Sequence, residues 1–256
     1  MTDETRAFYD DLANDYHLVL ADWDRSIAWQ SDVLDRLIGE EIGGDRIAIL
    51  DCACGIGTQA IGLALRGHRV HATDLSPNSV ERARHEAARR GASLTFGVAD
   101  LRTLPDHVDD TFDVVLAFDN ALPHLLSEED VQRAVAAMAG RLRRGGLLLA
   151  SIRDYDRILA ERPAGEVPRL LDNAAGRRIV FQLWDWAPDG LTYDLRLFLL
   201  RHQDEQWETQ EHVTRYRALR RDELTAALDK AGLTEIRWLM PEESGYYQPI
   251  VTARKP

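Results

Sequence analysis

"ILDCACGIGTQAIGL", Ile49 to Leu63, decides how the chain is read. An apolar run ends in Asp51, glycines follow at Gly55 and Gly57, and a new apolar stretch starts at Thr58. Strand, glycine turn, helix is the opening of a βαβ unit. Glycine lets the backbone turn tightly and approach a ligand, and the start of the next helix offers unpaired N–H groups. Both cysteines of the chain, Cys52 and Cys54, lie in the same stretch. A C-x-C pair with no further Cys or His at ligand spacing is weak as a metal site. The thiols are therefore expected to be small buried residues of the turn, with no metal.

Outward from this stretch the same unit repeats. "HRVHAT" ends at Asp74, "SLTFGVA" at Asp100 and "FDVVLAF" at Asp119, and a fifth run, "GLLLASI", spans Gly145–Ile152. Helix-like segments lie between most of them, which indicates a parallel sheet. Ser76 and Pro77 read as the cap and first turn of one helix that Gly91 ends, and Ser127 and Asp130 open another. Beyond Ile152 the texture changes. "FQLWDWAPDGLTYDLRLFLLR" reads as a hairpin around a turn, "HVTRYRALR" as a third antiparallel strand, "RDELTAALDKAGL" as a helix, and "TEIRWLM" and "YYQPIVTARK" as final strands. At the other end, Tyr9, Tyr16 and Trp23 recur every seven residues, as on one amphipathic helix.

The 256 residues carry a net charge of −12. An acidic surface repels nucleic acid and anionic membranes, so neither is expected as a partner. Two cysteines suit a reducing cytoplasm. The acidic start "MTDETRAFYDDLANDY" does not read as a signal peptide, and no apolar run approaches the roughly 20 residues that cross a bilayer. The histidines are scattered, no isolated His–Asp pair stands out, and His68 and His71 of "HRVH" read as structural.

Ligands of open α/β sheets bind where the strands end. Four of the first five strands bring a carboxylate there: Asp51, Asp74, Asp100 and Asp119. "GIGTQA" fits the dinucleotide pattern G-x-G-x-x-G/A, so a nicotinamide-dependent oxidoreductase is one candidate. Asp74 is placed to bind ribose hydroxyls in any adenosine ligand. Asp51 directly before the loop suits an ammonium and a sulfonium better than a pyrophosphate. Asp100 is placed to accept from an adenine amino group. Both favour S-adenosylmethionine.

Taken in order, "ILDCACGIG", Asp74, "VADLRTLP", "FDVVLAFDN" and "RRGGLLLASI" resemble the class I S-adenosylmethionine-dependent methyltransferases. The resemblance is close from Ile47 to Ile152. It implies a Rossmann-like seven-stranded sheet, mostly parallel with the last strand antiparallel, and helices on both faces. The antiparallel segment then becomes a small β-rich insert or lid. The expected division is a helical cap over residues 1–40, a cofactor-binding core over 41–154, the insert over 155–217 and completion of the sheet over 218–256. The cofactor residues implied are Asp51, Ala53, Gly55, Gly57, Asp74, Leu75, Asp100, Leu101 and Asp119. The product would be S-adenosylhomocysteine.

Three stretches resemble the glycine and sarcosine N-methyltransferases more particularly. "CACGIGT" is similar to their "VACGTG", "FDNALPHLL" to "GNSFAHL", and "LLASIRDYD" to "IDHRNYD". The resemblance implies that Arg153 grips a substrate carboxylate, with Asn120 orienting the amine and Tyr155 beside it. It implies His124 near the cofactor and an aromatic cap of Tyr9, Tyr16 and Trp23. Tyr16 and Trp23 are expected on the cofactor, Tyr9, Tyr193 and Tyr216 on the acceptor, and Tyr16 and Asn120 in catalysis. The competing view of Arg153 is an ion pair with Asp154 or Asp156. Asp119, Ser151 and Ile152 depart from the family pattern at the acceptor end. The expected activity is methylation of a small amine that carries a carboxylate. C- or O-methylation of an aromatic or indolic acceptor and a binding module without turnover stand as alternatives. A homo-oligomer is left open.

Overall fold

The strands at the centre of the chain sort their side chains by parity. In β1 (Ala48–Asp51), Ala48 and Leu50 join one buried cluster and Ile49 the other. The computed structural model, which describes residues 3–256, shows why. A sheet with helices on both faces buries alternate residues of each strand on opposite sides. The first two residues of the expected cap lie outside the described range.

Ahead of β1 come α1 (Asp3–Leu12), a 3₁₀ turn at Tyr16–Val19 and α2 (Trp23–Glu41). After it come α3 (Thr58–Leu65), β2 (Arg69–Asp74), α4 (Pro77–Arg89), β3 (Thr95–Val98), β4 (Phe112–Ala117), α5 (Glu128–Arg141), β5 (Leu142–Ser151) and α6 (Tyr155–Glu161). Then follow β6 (Gly165–Asn173), β7 (Gly176–Trp186), β8 (Thr192–Gln203) and β9 (Gln206–Arg217). The chain closes with α7 (Arg221–Lys230), β10 (Thr234–Leu239), α8 (Pro241–Ser244) and β11 (Ile250–Arg254). The main sheet has seven strands in the order β10-β11-β5-β4-β1-β2-β3, with β11 antiparallel to both neighbours. Val131, Val135, Met138, Leu224 and Leu228 cover one face through α5 and α7, and Leu34, Leu37, Ile38 and Leu63 cover the other through α2 and α3. Ser76 and Ser127 cap α4 and α5 through the N–H groups of Ser79 and Asp130.

Strand order reverses between β1 and β4, so their carboxyl ends open a crevice. Asp51 and Asp119 lie on its two sides.

Three features depart from the sequence-based expectation. Tyr9, Tyr16 and Trp23 do not share a helix: α1 stops at Leu12, Tyr16 opens the 3₁₀ turn, and Asp22 caps α2 by accepting from Arg25 N–H at 3.0 Å. The antiparallel segment is a separate four-stranded sheet, β6-β7-β8-β9, and β6 was not visible in the sequence. Its residues are mostly exposed, Pro168 lacks an N–H, and its pairing slips between Glu166 and Arg169. Last, β11 starts at Ile250, and residues 245–249 form a loop that leads into it.

The four-stranded sheet packs its inner side chains, among them Val180, Trp184, Tyr193 and Leu195, into the same core as Phe8, Leu12 and Leu18. Arg178, 2% exposed, fastens the two together. Its guanidinium donates to the carbonyls of Leu18 at 2.7 Å and Leu20 at 2.9 Å, and to Asn173 Oδ1 at 3.0 Å. The segment that carries Tyr16 is thereby held down by the sheet.

Candidate active site

The glycine loop is built by two carboxylates and by positive φ angles. Gly55 has φ +52° and Gly57 φ +95°. A Cβ on Gly57 would lie 2.9 Å from Ile61 Cδ1 and 3.2 Å from Ala83 Cβ, so this glycine lets α3 and α4 close on the turn. A Cβ on Gly55 would meet nothing within 4 Å, because Gly55 faces open cavity. Asp74 holds the loop in place: Oδ2 accepts from Gly55 N–H at 2.8 Å and Oδ1 from Ser76 N–H at 2.9 Å. Burial raises its pKa, and these backbone donors oppose the rise.

Asp51 sits directly behind the loop, 1% exposed. Oδ1 is 3.4 Å from Ala53 N–H, and the buried Oδ2 has no partner among the described residues. Desolvation pushes its pKa from 3.8 up to about 8. A buried carboxylate oxygen with nothing to accept from is costly unless a ligand supplies the donor.

A cavity of about 690 Å³ opens over the loop. Its walls include Ala53, Gly55, Asp74, Leu75, Leu101, Tyr9, Tyr16, Asp119 and His124, all expected from the sequence. Ala99 and Leu101 add apolar side chains to the same walls. At the other end, His124 is 1% exposed and its Nε2 meets Tyr9 Oη at 2.8 Å. Burial drops the His124 pKa to about 3, so the imidazole is neutral and serves as a hydrogen-bond partner, not as a cation. The Tyr16 hydroxyl has no protein partner among the described residues, and burial with Asp119 nearby raises its pKa.

Several expected site residues are elsewhere. Trp23 packs on the far side of the loop: its indole N–H donates to Thr58 Oγ1 at 2.9 Å and its ring carries the Arg90 guanidinium at 4.5 Å. Asp100 turns away from the cavity toward Arg102, which reaches both its oxygens and also Asp130 at 3.1 Å. Its pKa falls to about 2: burial raises it, and the bonds from Arg102 more than offset that. Gly57 shapes the turn without lining the cavity.

Asn120, Arg153, Tyr155 and Tyr193 form an internal network behind the cavity wall. Asn120 accepts from Arg153 N–H at 3.0 Å and donates to Tyr155 Oη at 2.9 Å, and Tyr155 Oη is 3.0 Å from Tyr193 Oη. Arg153 donates to Tyr193 Oη and Gln182 Oε1, each at 3.0 Å, and lies over the rings of Trp184 and Tyr216. Asn120, 2% exposed, thus braces Arg153. Tyr216 links network and cavity, its ring 4.1 Å from that of His124. Arg153 pairs with neither Asp154 nor Asp156, which belong to Arg221 at 2.8 and 3.1 Å. Its ionic neighbour is Glu166 of β6, at 3.6 Å. A His–Asp pair does exist, His68 with Asp35 at 2.8 Å, but it lies at the start of β2, where Ile47 N–H donates to the same ring.

Sequence reasoning missed the surroundings of Asp119. Gln59 of α3 donates to its Oδ2 at 2.7 Å, and Tyr246 and Tyr247 donate to its Oδ1 at 2.5 and 2.6 Å. Trp29 of α2 stacks on Tyr246. The signal was present in "SGYYQP", where glycine and proline bracket two tyrosines and break a strand.

Known proteins bear on this geometry. Residues 49–146 match the family model described as "Methyltransferase domain". The glycine/sarcosine N-methyltransferase of Parasynechococcus marenigrum (strain WH8102) is 36% identical over 143 residues, 54% of this chain and 50% of that protein. The enzyme of the same name from Aphanothece halophytica is 31% identical over 145 residues, 54% of each. The chain thus spans about half the length of these curated relatives. An S-adenosylmethionine-bound amino pentose methyltransferase from Micromonospora echinaspora shares the fold, with TM-score 0.74 over 90% of this chain and 92% of that one at 21% identity.

Proposed function

The chain carries a class I S-adenosylmethionine-dependent methyltransferase domain over residues 49–146, and we propose that it moves the methyl group to the amine nitrogen of a small-molecule acceptor. The observation that carries this is a pair of carboxylates at the glycine loop: Asp51, directly behind the loop with a buried oxygen that has no partner among the described residues, and Asp119, in the wall of the cavity. A dinucleotide would put a pyrophosphate at the helix start, where Asp51 and Asp74 repel it.

The residues fit the cofactor. Asp51 Oδ2 takes its ammonium, Asp74 keeps lone pairs for ribose hydroxyls, and Ala99, Leu75 and Leu101 wall the base. The bound cofactor supplies a methyl group already activated on a sulfonium. The protein then has to hold the acceptor close, aligned and dry, and orientation alone is worth about 7–11 kcal/mol. Tyr9 and Tyr16 cover the cavity from the N-terminal segment, and neutral His124 fixes the Tyr9 hydroxyl. The free Tyr16 hydroxyl is the group available to orient the amine.

For an acceptor with a carboxylate, such as glycine or sarcosine, Arg153 is the cation at this end. Its fork is already held by Tyr193 and Gln182, and the substrate carboxylate would take the place of Glu166. The sequence likeness to glycine/sarcosine N-methyltransferases supports this class.

Radiolabelled S-adenosylmethionine with a panel of glycine, sarcosine, carboxylate-free aliphatic amines and indolic or phenolic acids tests the proposal. Label on an amine nitrogen is expected. Label confined to a phenolic oxygen or ring carbon refutes it, and binding of S-adenosylhomocysteine without turnover on any acceptor makes the chain a binding module. With glycine as acceptor, Arg153→Ala is expected to raise KM and leave cofactor affinity in place.

A further inference from the structure

The carboxylate of Asp119 is not accounted for by the cofactor. It follows β4 at φ +55°, where the glycine and sarcosine N-methyltransferase segment that this stretch resembles has glycine. Its three donors, Gln59, Tyr246 and Tyr247, are all neutral. Among the described residues no basic side chain pairs with it. A carboxylate accepts at about four lone-pair positions, so one remains on Oδ2. A partly buried anion with no counter-charge is poised for a cation.

Which cation is decided by position. The cofactor's ammonium has Asp51, deep behind the loop. Asp119 lies in the cavity wall itself, and one of its donors, Tyr247, reaches solvent. Tyr247 is 51% exposed and Trp29 38%. Their rings surround Tyr246: Trp29 stacks on it at 5.6 Å, Tyr247 lies 4.7 Å away, and Phe118 meets its edge at 5.3 Å. Aromatic faces attract cations, and a carboxylate beneath them adds charge and a directional acceptor. The loop that carries Tyr247 turns at Gly245, φ +73°, and reaches the crevice from the start of β11.

We propose that Asp119, hooded by Tyr247 and Trp29, is the subsite that receives the acceptor as an aliphatic ammonium ion, and that the nitrogen passes one proton to the free lone pair on Asp119 Oδ2 before it attacks the methyl group as a neutral amine. This rests on the N-methylation proposed above and names how that acceptor is recognised: by the charge on its nitrogen. Neutral phenols and indoles lack the feature the subsite reads.

The test uses the full chain saturated with S-adenosylhomocysteine, which cannot donate a methyl group. Methylammonium is titrated in ligand-observed NMR, alone and in the presence of acetate, and S-adenosylhomocysteine affinity is measured by calorimetry. Asp119→Asn is expected to weaken methylammonium at least tenfold and Tyr247→Leu about fivefold, with S-adenosylhomocysteine changed less than threefold. Acetate is expected not to compete with methylammonium, and competition between them overturns the proposal. Methylammonium weakened less than threefold in both variants overturns the proposal. A parallel loss of S-adenosylhomocysteine also overturns it, because Asp119 would then serve the cofactor. Should Asp119→Asn not fold, Tyr247→Leu decides alone by the same threshold. Asp119-dependent methylammonium binding with no amine methylated would sink the N-methylation proposal, and with it the acceptor role given to Asp119, and leave only a cation subsite there.

Discussion

Replacing Asp51 by asparagine separates what stabilises the protein from what binds its ligand. The carboxyl is 1% exposed, its Oδ2 has no partner among the described residues, and its pKa rises from 3.8 to about 8 through desolvation. Between those values the folded chain binds more protons at this site than the unfolded chain, so the group's contribution to stability falls as pH rises from about 4 to about 8 and is level above. The whole interval corresponds to at most about 5–6 kcal/mol. Asparagine has no charge to desolvate, but it leaves an unpaired N–H₂ where Oδ2 was, at a cost of about 1–3 kcal/mol. Asp51→Asn should therefore be more stable than the parent by about 2–4 kcal/mol at pH 9 and indistinguishable from it near pH 5. For a chain of this size that is roughly 5–10 °C in Tm at pH 9. Cofactor-product affinity should move the other way. Removing one member of a buried ammonium–carboxylate pair costs about 2–5 kcal/mol, on the order of a hundredfold in Kd at neutral pH. Thermal unfolding from pH 5 to 9, with calorimetry of S-adenosylhomocysteine, reads both. Parallel Tm–pH curves for parent and variant would refute the buried-charge assignment, and unchanged affinity would refute its role in holding the ammonium.

Other predictions concern the loop, the thiols and the clamp. Gly57→Ala should cost about 2 kcal/mol of stability, since φ +95° and a Cβ 2.9 Å from Ile61 Cδ1 both oppose it, whereas Gly55→Ala should cost less stability but weaken S-adenosylhomocysteine by filling open cavity; thermal melts and calorimetry compare the two. Cys52 Sγ donates to Leu116 O at 2.8 Å, and burial raises both thiol pKa values. Neither should react with thiol reagents at pH 8 in the native state, and Cys52→Val with Cys54→Ala should lose about 1 kcal/mol and keep methyl transfer within threefold. Selective loss of turnover with normal cofactor binding would show that the sulfurs take part. Arg178→Met leaves the carbonyls of Leu18 and Leu20 without their donor and should cost about 3 kcal/mol. It should lower acceptor kcat/KM more than cofactor affinity, because it frees the segment that carries Tyr16.

The cofactor half of the cavity was legible in the sequence because its parts are local. A strand that ends in Asp51, a turn that needs positive φ at Gly55 and Gly57, and an acid at the end of β2 all leave marks within a few residues of one another. The seven-stranded sheet was legible for the same reason: its buried strands are short apolar runs. The insert was only partly so. The arms of β7 and β8 alternate cleanly, but β6 is exposed, and its edge position shows only once its partner is known. The acceptor end was least legible because it is assembled over long range. Asp119 meets Gln59 across 60 residues and Tyr247 across 128. Arg153 meets Gln182 across 29, on a strand that no local pattern orients toward it. Motif likeness placed Asn120, Arg153 and Tyr155 in one neighbourhood, and there they are. What it could not supply was which of their polar atoms are already satisfied. Asn120 spends its amide on Arg153 and Tyr155, while Asp119, one residue earlier, keeps a lone pair and an unmatched charge. The acceptor's chemistry therefore turns on Asp119, the one charged residue among the three by which the chain departs at this end from the pattern it resembles.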